Sequence, residues 1–241
     1  MKHIKILTDA LSQWSKRYRN FGDYSVTTLL DSPRQVLLAR RHKQEIVQTP
    51  EQQVAAFIGS GVHSMFEESL KAHSVIDPRY DIERTVFDKY EDRLIAGKFD
   101  ILWDSRHLYD IKTCKTWKLV FDPGMEDWHK QLNIYAAMLR NRGLEIKSIN
   151  AVAVYLDWTQ NKAIIDKSYP QDRVVEYELK LWDHDFTMDF LRNRINLFKA
   201  NEEVADDKLP ECSDEEMWVR NNDTKYALME GPDAKRAFRV C

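Results

Sequence analysis

Residues 97–113 read GKFDILWDSRHLYDIKT, and this stretch predicts a β-hairpin. Side chains alternate over residues 94–103 as they do in a strand whose two faces meet different surroundings. One face carries Ile95, Gly97, Phe99, Ile101 and Trp103, and the other carries Leu94, Ala96, Lys98, Asp100 and Leu102. The polar turn 104–106 then leads into a second predicted strand, from His107 to about Lys115.

The segments around this hairpin alternate between strand and helix patterns. Strands are predicted over about 81–89, 149–158 and 174–182, and helices over about 126–143 and 183–200. This order predicts an α/β fold with a central mixed β-sheet flanked by helices. We interpret residues 1–241 as a single domain with an N-terminal helical segment (1–75), a catalytic core (80–160), and a C-terminal strand, helix and tail (161–241).

Three helices are predicted before the hairpin. Ser32-Pro33 and Thr49-Pro50 each place a hydroxyl cap before a proline suited to the first helical turn, which predicts helices over 33–43 and about 50–73. An earlier helix is predicted over 8–19. The predicted buried side of the long helix comprises Val54, Phe57, Ile58, Met65, Phe66 and Leu70.

The composition is that of a soluble globular protein, with 43% hydrophobic and 31% charged residues and a net charge of −3. The chain contains no apolar run long enough to span a membrane and no secretory signal pattern, so we expect a cytoplasmic protein that does not engage membranes. Its three cysteines, Cys114, Cys212 and Cys241, are too few for a four-thiolate cluster.

Asp110 and Lys112 are two residues apart on one strand, so both side chains are expected on one face. Asp100, on the neighbouring strand, is expected beside Asp110. Two adjacent carboxylates repel unless a cation lies between them, which predicts a Mg²⁺ or Mn²⁺ site. Such a site, completed by the Ile111 carbonyl, suits phosphodiester hydrolysis with Lys112 orienting water or stabilising charge. An exposed ion pair is the alternative for Asp110 and Lys112.

The motif order resembles that of the PD-(D/E)XK nuclease superfamily. Gly97–Asp100 followed by Asp110–Thr113 is similar to its paired-strand signature, which implies catalytic roles for Asp100, Asp110 and Lys112. Gly61–Glu67 resembles the glycine, histidine and glutamate motif of the RecB-like exonuclease branch, which adds His63 as a metal ligand. Gln131–Tyr135 resembles that branch's Q-x-x-x-Y motif, which lines the site next to the nucleic acid.

This resemblance implies a restriction-endonuclease-like core and a metal-dependent DNA exonuclease of the phage-encoded type. The implied partners are DNA with a free end and recombination or replication proteins, in the host cytoplasm. No iron–sulfur cluster is expected, because relatives with a cluster carry one cysteine before the core and three after it, whereas this chain has none before His63 and only Cys212 and Cys241 near its end. Two alternatives stay open: an endonuclease of the same fold, and a non-catalytic nucleic-acid-binding module.

Further residues are candidates around this site. Glu67 and Glu83 are candidates for supporting the metal or its ligands, directly or through water. Lys115, Trp117 and Lys118, after the catalytic strand, interleave cations and an aromatic ring as a single-strand groove would, and join Gln131 and Tyr135 as predicted DNA contacts. The alternatives are an inward-packed tryptophan loop and a buried polar pair.

Overall fold

The computed structural model describes residues 22–46, 49–118 and 124–214, the isolated residues 10, 11, 14, 122, 216 and 217, and the backbone of 227–229 and 237–240. The predicted helix over 8–19 therefore lies largely outside the described residues. Of its side chains, Trp14 packs edge-on against Phe57, with ring centroids 5.8 Å apart.

The elements follow the predicted alternation of helix and strand. In chain order they are β1 (Tyr24–Ser25), α1 (Val26–Leu30), α2 (Pro33–Arg41), α3 (Pro50–Ser74), β2 (Tyr80–Tyr90), β3 (Arg93–Trp103), β4 (His107–Cys114), α4 (Glu126–Arg140), β5 (Ser148–Tyr155), α5 (Gln160–Ile165), β6 (Val174–Leu179), α6 (His184–Asn201), a 3₁₀ turn (Asp206–Lys208), β7 (Ala227–Met229) and β8 (Ala237–Val240). Two strands end earlier than predicted, at Tyr155 and Leu179 rather than near 158 and 182.

Six strands form one mixed sheet, which confirms the predicted fold class. β3 pairs along its length with β2 in antiparallel orientation, β4 pairs with β5 in parallel, and β6 follows antiparallel to β5. β1 adds a short parallel pair to β3 at Tyr24 and Ile95. The interpretation of residues 1–241 as one domain stays a prediction.

The hairpin between β3 and β4 separates soon after its turn. Antiparallel pairing joins residues 101–103 of β3 to residues 107–109 of β4. From Asp110 to Cys114, β4 pairs with β5 and, among the described residues, no longer with β3. The sequence predicted the hairpin but not this separation, because alternation of side chains does not reveal where two strands part. The consequence is a gap between β3 and β4 at the level of Asp100 and Ile111.

The hydrophobic core lies between the sheet and α4. Residues 131–139 of α4 are all buried, and they pack with side chains of the sheet and α6 that include Phe99, Leu108, Ile149 and Phe198. Gly97 allows the closest approach, since a Cβ there would lie 3.0 Å from the Tyr135 ring and 3.1 Å from the Met138 sulfur. The centre of β3 is therefore held directly against α4.

Helix α3 packs against β2 and β4, and its predicted buried side is confirmed in part, because Val54, Phe57, Phe66 and Leu70 are half-buried. Ile58 and Met65, predicted as buried, are 44% and 71% exposed. The helix instead turns the stripe containing Gly59 and His63 toward the sheet, where a Cβ on Gly59 would lie 3.1 Å from Thr113 Oγ1. The apolar pattern was misleading because this contact face also carries the polar groups of a site.

Two arginines of helix α2 join it to the C-terminal part of the chain. Arg41 donates to the backbone carbonyls of Asn201, the last residue of α6, and of Glu202 and Val204 just after it. Arg34 donates to the carbonyl of Leu209. These bonds satisfy carbonyls that a helix end leaves without intrahelical partners, and they tie α2 to the C-terminal part of the chain.

Candidate active site

The gap between β3 and β4 is bridged by the carboxylate of Asp100. Its Oδ2 accepts a hydrogen bond of 2.7 Å from the backbone N–H of Ile111, in the place where a ladder bond would otherwise form. Because the N–H and C=O of one extended residue point to the same side, the Ile111 carbonyl is also directed toward β3. The side chain of Asp100 and the backbone of β4 therefore face one space.

A histidine and two carboxylates converge at this space. Nδ1 of His63 on α3 lies 3.3 Å from Oδ2 of Asp100. One ligand atom from each of His63, Glu83 and Asp100 lies within 4.8 Å of the others. Glu83, a candidate for a supporting role from sequence, thus shares a potential metal-ligand cluster with two of the predicted ligands.

Asp110, predicted as a metal ligand, is buried and does not belong to this group of three. Burial raises the pKa of its carboxyl, and the negative charge of Asp100 raises it further, while Lys112 opposes both effects. Oδ2 of Asp110 lies 2.6 Å from Nζ of Lys112. That approach does not satisfy hydrogen-bond angles, so within the described residues this buried oxygen has a charged neighbour and no hydrogen-bond partner.

Lys112 is held from its other side by a buried polar chain. Its Nζ donates to Oε1 of Gln131 at 2.8 Å, and Nε2 of Gln131 donates to the Tyr135 hydroxyl at 2.9 Å. Since an ammonium only donates, the Gln131 amide must present its oxygen to Lys112. Gln131 and Tyr135 are 8% and 3% exposed, which favours the positioning of Lys112 over direct contact with a strand. Their assignment to DNA contact stays a prediction.

The electrostatics of His63 link metal binding to protonation. The pKa of His63 is raised, chiefly because the Asp100 carboxylate stabilises the protonated ring. A histidine must be neutral to coordinate a metal, so wherever the His63 ring is protonated a cation has to displace a proton to bind there. Protons and the cation therefore compete for this imidazole.

Glu67 and Trp128 are placed outside the cluster. Glu67 pairs with Lys71 one turn along α3 and does not belong to the group formed by His63, Glu83 and Asp100. Trp128 is buried in the core below Lys118, whose Nζ lies 5.3 Å from its ring centroid. Its burial makes Trp128 a packing residue of the core.

A cleft of about 1110 Å³ opens beside the buried polar chain. It is lined by all three predicted groove residues, Lys115, Trp117 and Lys118, and it reaches Gln131. Trp117 is 59% exposed. Lys118 pairs with Asp122 at 2.5 Å, so its charge is partly neutralised. The cleft adjoins Lys112 through Gln131, but His63, Asp100 and Asp110 are not among its lining residues.

Comparisons with known proteins support the fold. No protein-family model and no curated protein matches this chain. The crystal structure of SSO0001 matches with a TM-score of 0.55 and 18% identity, covering 80% of this chain and 85% of that one. Two crystal structures of the alkaline exonuclease LHK-Exo from Laribacter hongkongensis, the second in complex with dAMP, match with TM-scores of 0.43 and 0.42 and identities of 10% and 14%, each covering 77% of this chain and 90% of the other. The first match establishes a shared fold, and the weaker likeness to the exonuclease carries no functional inference.

Proposed function

We propose that this protein is a divalent-metal-dependent nuclease that hydrolyses DNA phosphodiester bonds. The observation that carries the proposal is the cluster of His63, Glu83 and Asp100 beside the buried pair of Asp110 and Lys112. Polar side chains of this kind are costly to bury unless a charge or ligand balances them. A metal site with an adjacent ammonium explains why all five are gathered at one gap in the sheet.

The residues fit a divalent cation. His63 offers an imidazole nitrogen, Asp100 offers carboxylate oxygen, and Asp110 has a buried oxygen without a hydrogen bond among the described groups. We propose His63, Asp100, Asp110 and the Ile111 carbonyl as ligands. Oxygen donors suit Mg²⁺ and Mn²⁺ alike, and an imidazole suits Mn²⁺ better than Mg²⁺. Either ion is compatible with this set.

The chain's own residues then supply positioning and charge. When bound, the cation would polarise the phosphodiester and activate water for attack. Lys112, held between Asp110 and Gln131, presents a fixed positive charge and N–H donors to the charge that develops on the phosphate. The buried Gln131 and Tyr135 keep this ammonium in place, which reduces the reorganisation needed during the reaction.

We further propose that the enzyme cuts DNA from a free end, in recombination, replication or end processing. This part rests on the resemblance of Gly61–Glu67 and Gln131–Tyr135 to the RecB-like motifs. The cleft lined by Lys115, Trp117 and Lys118 is the proposed path of the strand, because a cation beside an exposed ring suits backbone contact and base stacking. The proposed cofactor is Mg²⁺ or Mn²⁺, with no iron–sulfur cluster.

The test is cleavage of end-labelled linear DNA and covalently closed circles, single- and double-stranded, with Mg²⁺, Mn²⁺ or EDTA. We expect linear DNA to be degraded with either cation and circles to be spared. Asp110→Ala and Lys112→Ala should each reduce the rate at least about 100-fold, as does removal of other preorganised active-site groups. Asp189→Ala and Lys89→Ala change exposed residues away from the site and serve as matched controls.

Each alternative predicts a different result. Cutting of closed circles would favour an endonuclease of the same fold. DNA binding without cleavage under any of these conditions would favour a non-catalytic module. Activity that survives both Asp110→Ala and Lys112→Ala would refute the proposed site, and absorption typical of an iron–sulfur cluster would refute the proposed cofactor.

A further inference from the structure

Glu83 has an unusual backbone for a residue in the middle of a strand. Its φ is +55°, a left-handed backbone angle that residues other than glycine rarely adopt. It lies between Ile82 and Arg84, which pair with Ile101 and Phe99, so it stands opposite Asp100. Such strain is retained where the surrounding structure fixes a side chain in one direction, and it concentrates at functional sites.

The side chain of Glu83 is directed into the protein and toward the cluster. It is 7% exposed, and one of its carboxylate oxygens lies within 4.8 Å of the ligand atoms of both His63 and Asp100. The Glu83 carboxylate is therefore close enough to His63 and Asp100 to bind the same cation.

Lys98 supplies the positive charge that meets Glu83 in this structure. It lies two residues before Asp100 on the same face of β3, and its Nζ contacts a Glu83 carboxylate oxygen. The Lys98 side chain is 54% exposed, so it reaches the buried carboxylate from solvent. A flexible ammonium on an exposed stem can leave such a contact without any change in the backbone.

We propose that Glu83 is a direct ligand of the catalytic cation, and that Lys98 is an exchangeable counter-ion that occupies Glu83 until the cation binds. This inference rests on the metal site of the proposed function and adds a ligand and a competitor to it. Lys98 and the cation compete for the same carboxylate, so the two residues have opposite effects on metal affinity. Glu83 strengthens binding, and Lys98 weakens it.

A purely structural ion pair does not explain the arrangement as well. An exposed lysine gains little from pairing at a surface, where water and salt screen the charges. That gain does not offset both the burial of the Glu83 carboxylate and its left-handed backbone. Participation of Glu83 in a metal site accounts for the burial, the strain and the proximity to His63 together.

The test is Mn²⁺ binding to the full chain without DNA, followed by calorimetry and by the electron paramagnetic resonance signal of free Mn²⁺. Glu83→Gln should weaken binding by about 10- to 100-fold, the range found when groups that support a metal site are removed. Lys98→Met should tighten binding on the order of tenfold, because a competing charge is removed. Glu178→Gln and Lys89→Met, both on other exposed strand positions, should leave the affinity unchanged.

Opposite shifts of affinity in the two variants would support the proposal. Equal affinity in wild type and Glu83→Gln would overturn the ligand assignment, and weaker or unchanged binding in Lys98→Met would overturn the competition. If Glu83→Gln fails to fold, Lys98→Met decides alone. A wild type that binds Mn²⁺ and cleaves DNA while Glu83→Gln binds normally refutes this inference only, whereas a wild type without metal-dependent cleavage refutes the proposed function.

Discussion

Replacing Gly97 by alanine tests the coupling between the core and Lys112. The added Cβ would lie 3.0 Å from two atoms of the Tyr135 ring and 3.1 Å from the Met138 sulfur. Tyr135 lies on helix α4, and its buried ring packs against β3 and cannot swing into solvent, so the ring has to shift within the core. Overpacking of this kind costs about 1–3 kcal/mol, offset in part because glycine is itself unfavourable in a strand.

The displaced ring should also disturb catalysis, because its hydroxyl accepts the hydrogen bond from Gln131 that fixes the amide holding Lys112. We expect the unfolding midpoint to fall by about 2–10 °C for a chain of this size. The cleavage rate should drop more than the affinity for DNA, since the ammonium moves while the cleft remains.

Gly61→Ala is the matched control. No described atom lies within 4 Å of a Cβ at this helical position, so alanine should stabilise the protein by about 0.5–1 kcal/mol. Differential scanning calorimetry and single-turnover cleavage measure both effects. A Gly97→Ala variant that melts at or above the wild-type temperature with an unchanged rate would refute the coupling.

Three further predictions concern other contacts. Tyr135→Phe leaves the buried amide next to Lys112 without an acceptor and should slow single-turnover cleavage more than it weakens DNA binding; an unchanged rate would contradict this. The contact with Asp206 raises the pKa of His42, so its stabilisation is complete below about pH 6.5 and is lost as the pH rises through the folded-state pKa. His42→Gln should flatten the dependence of the melting temperature on pH in that window, and an equal slope in both proteins would contradict this. Arg41→Met removes several bonds to backbone carbonyls and should cost about 1–3 kcal/mol in urea unfolding, whereas Arg192→Met, from an exposed pair, should change stability by less than about 0.5 kcal/mol.

The main elements of the fold were predictable because their signals are local. Alternation over residues 94–103, the polar turn at 104–106 and the caps at Ser32 and Thr49 each act within a few residues of sequence. The short strand at Tyr24 was missed because two residues are too few to show the alternation of side chains that marks a strand. Helix Gln160–Ile165 was missed for a similar reason, since six residues are too few to show a helical face.

The site was predictable in its residues and less so in its arrangement. Because side chains alternate between the two faces of a strand, Asp110 and Lys112 were expected on one face, and the order of the motifs added His63. The position of Glu83 in the cluster depends on a left-handed backbone that no local pattern encodes. The burial of Gln131 depends on helix α4 packing closely over Gly97, which is a tertiary contact.

The parting of β3 from β4 has a consequence for the order in which the molecule is assembled. The hairpin closes through a three-residue turn, whereas β4 meets β5 only after α4 has intervened, with His107 beside Ser148. Contacts between residues close in sequence form before contacts between distant ones, because the entropic cost of closing a loop rises with its length. We therefore expect β3 and β4, which carry Asp100 and Asp110, to associate early. The final distance between the two aspartates should be set later, when β4 pairs with β5. The test is the φ-value, the change in the activation free energy of folding divided by the change in the free energy of unfolding. It should be high for Leu108→Ala and low for Ala151→Gly, and the reverse order would refute this sequence of events.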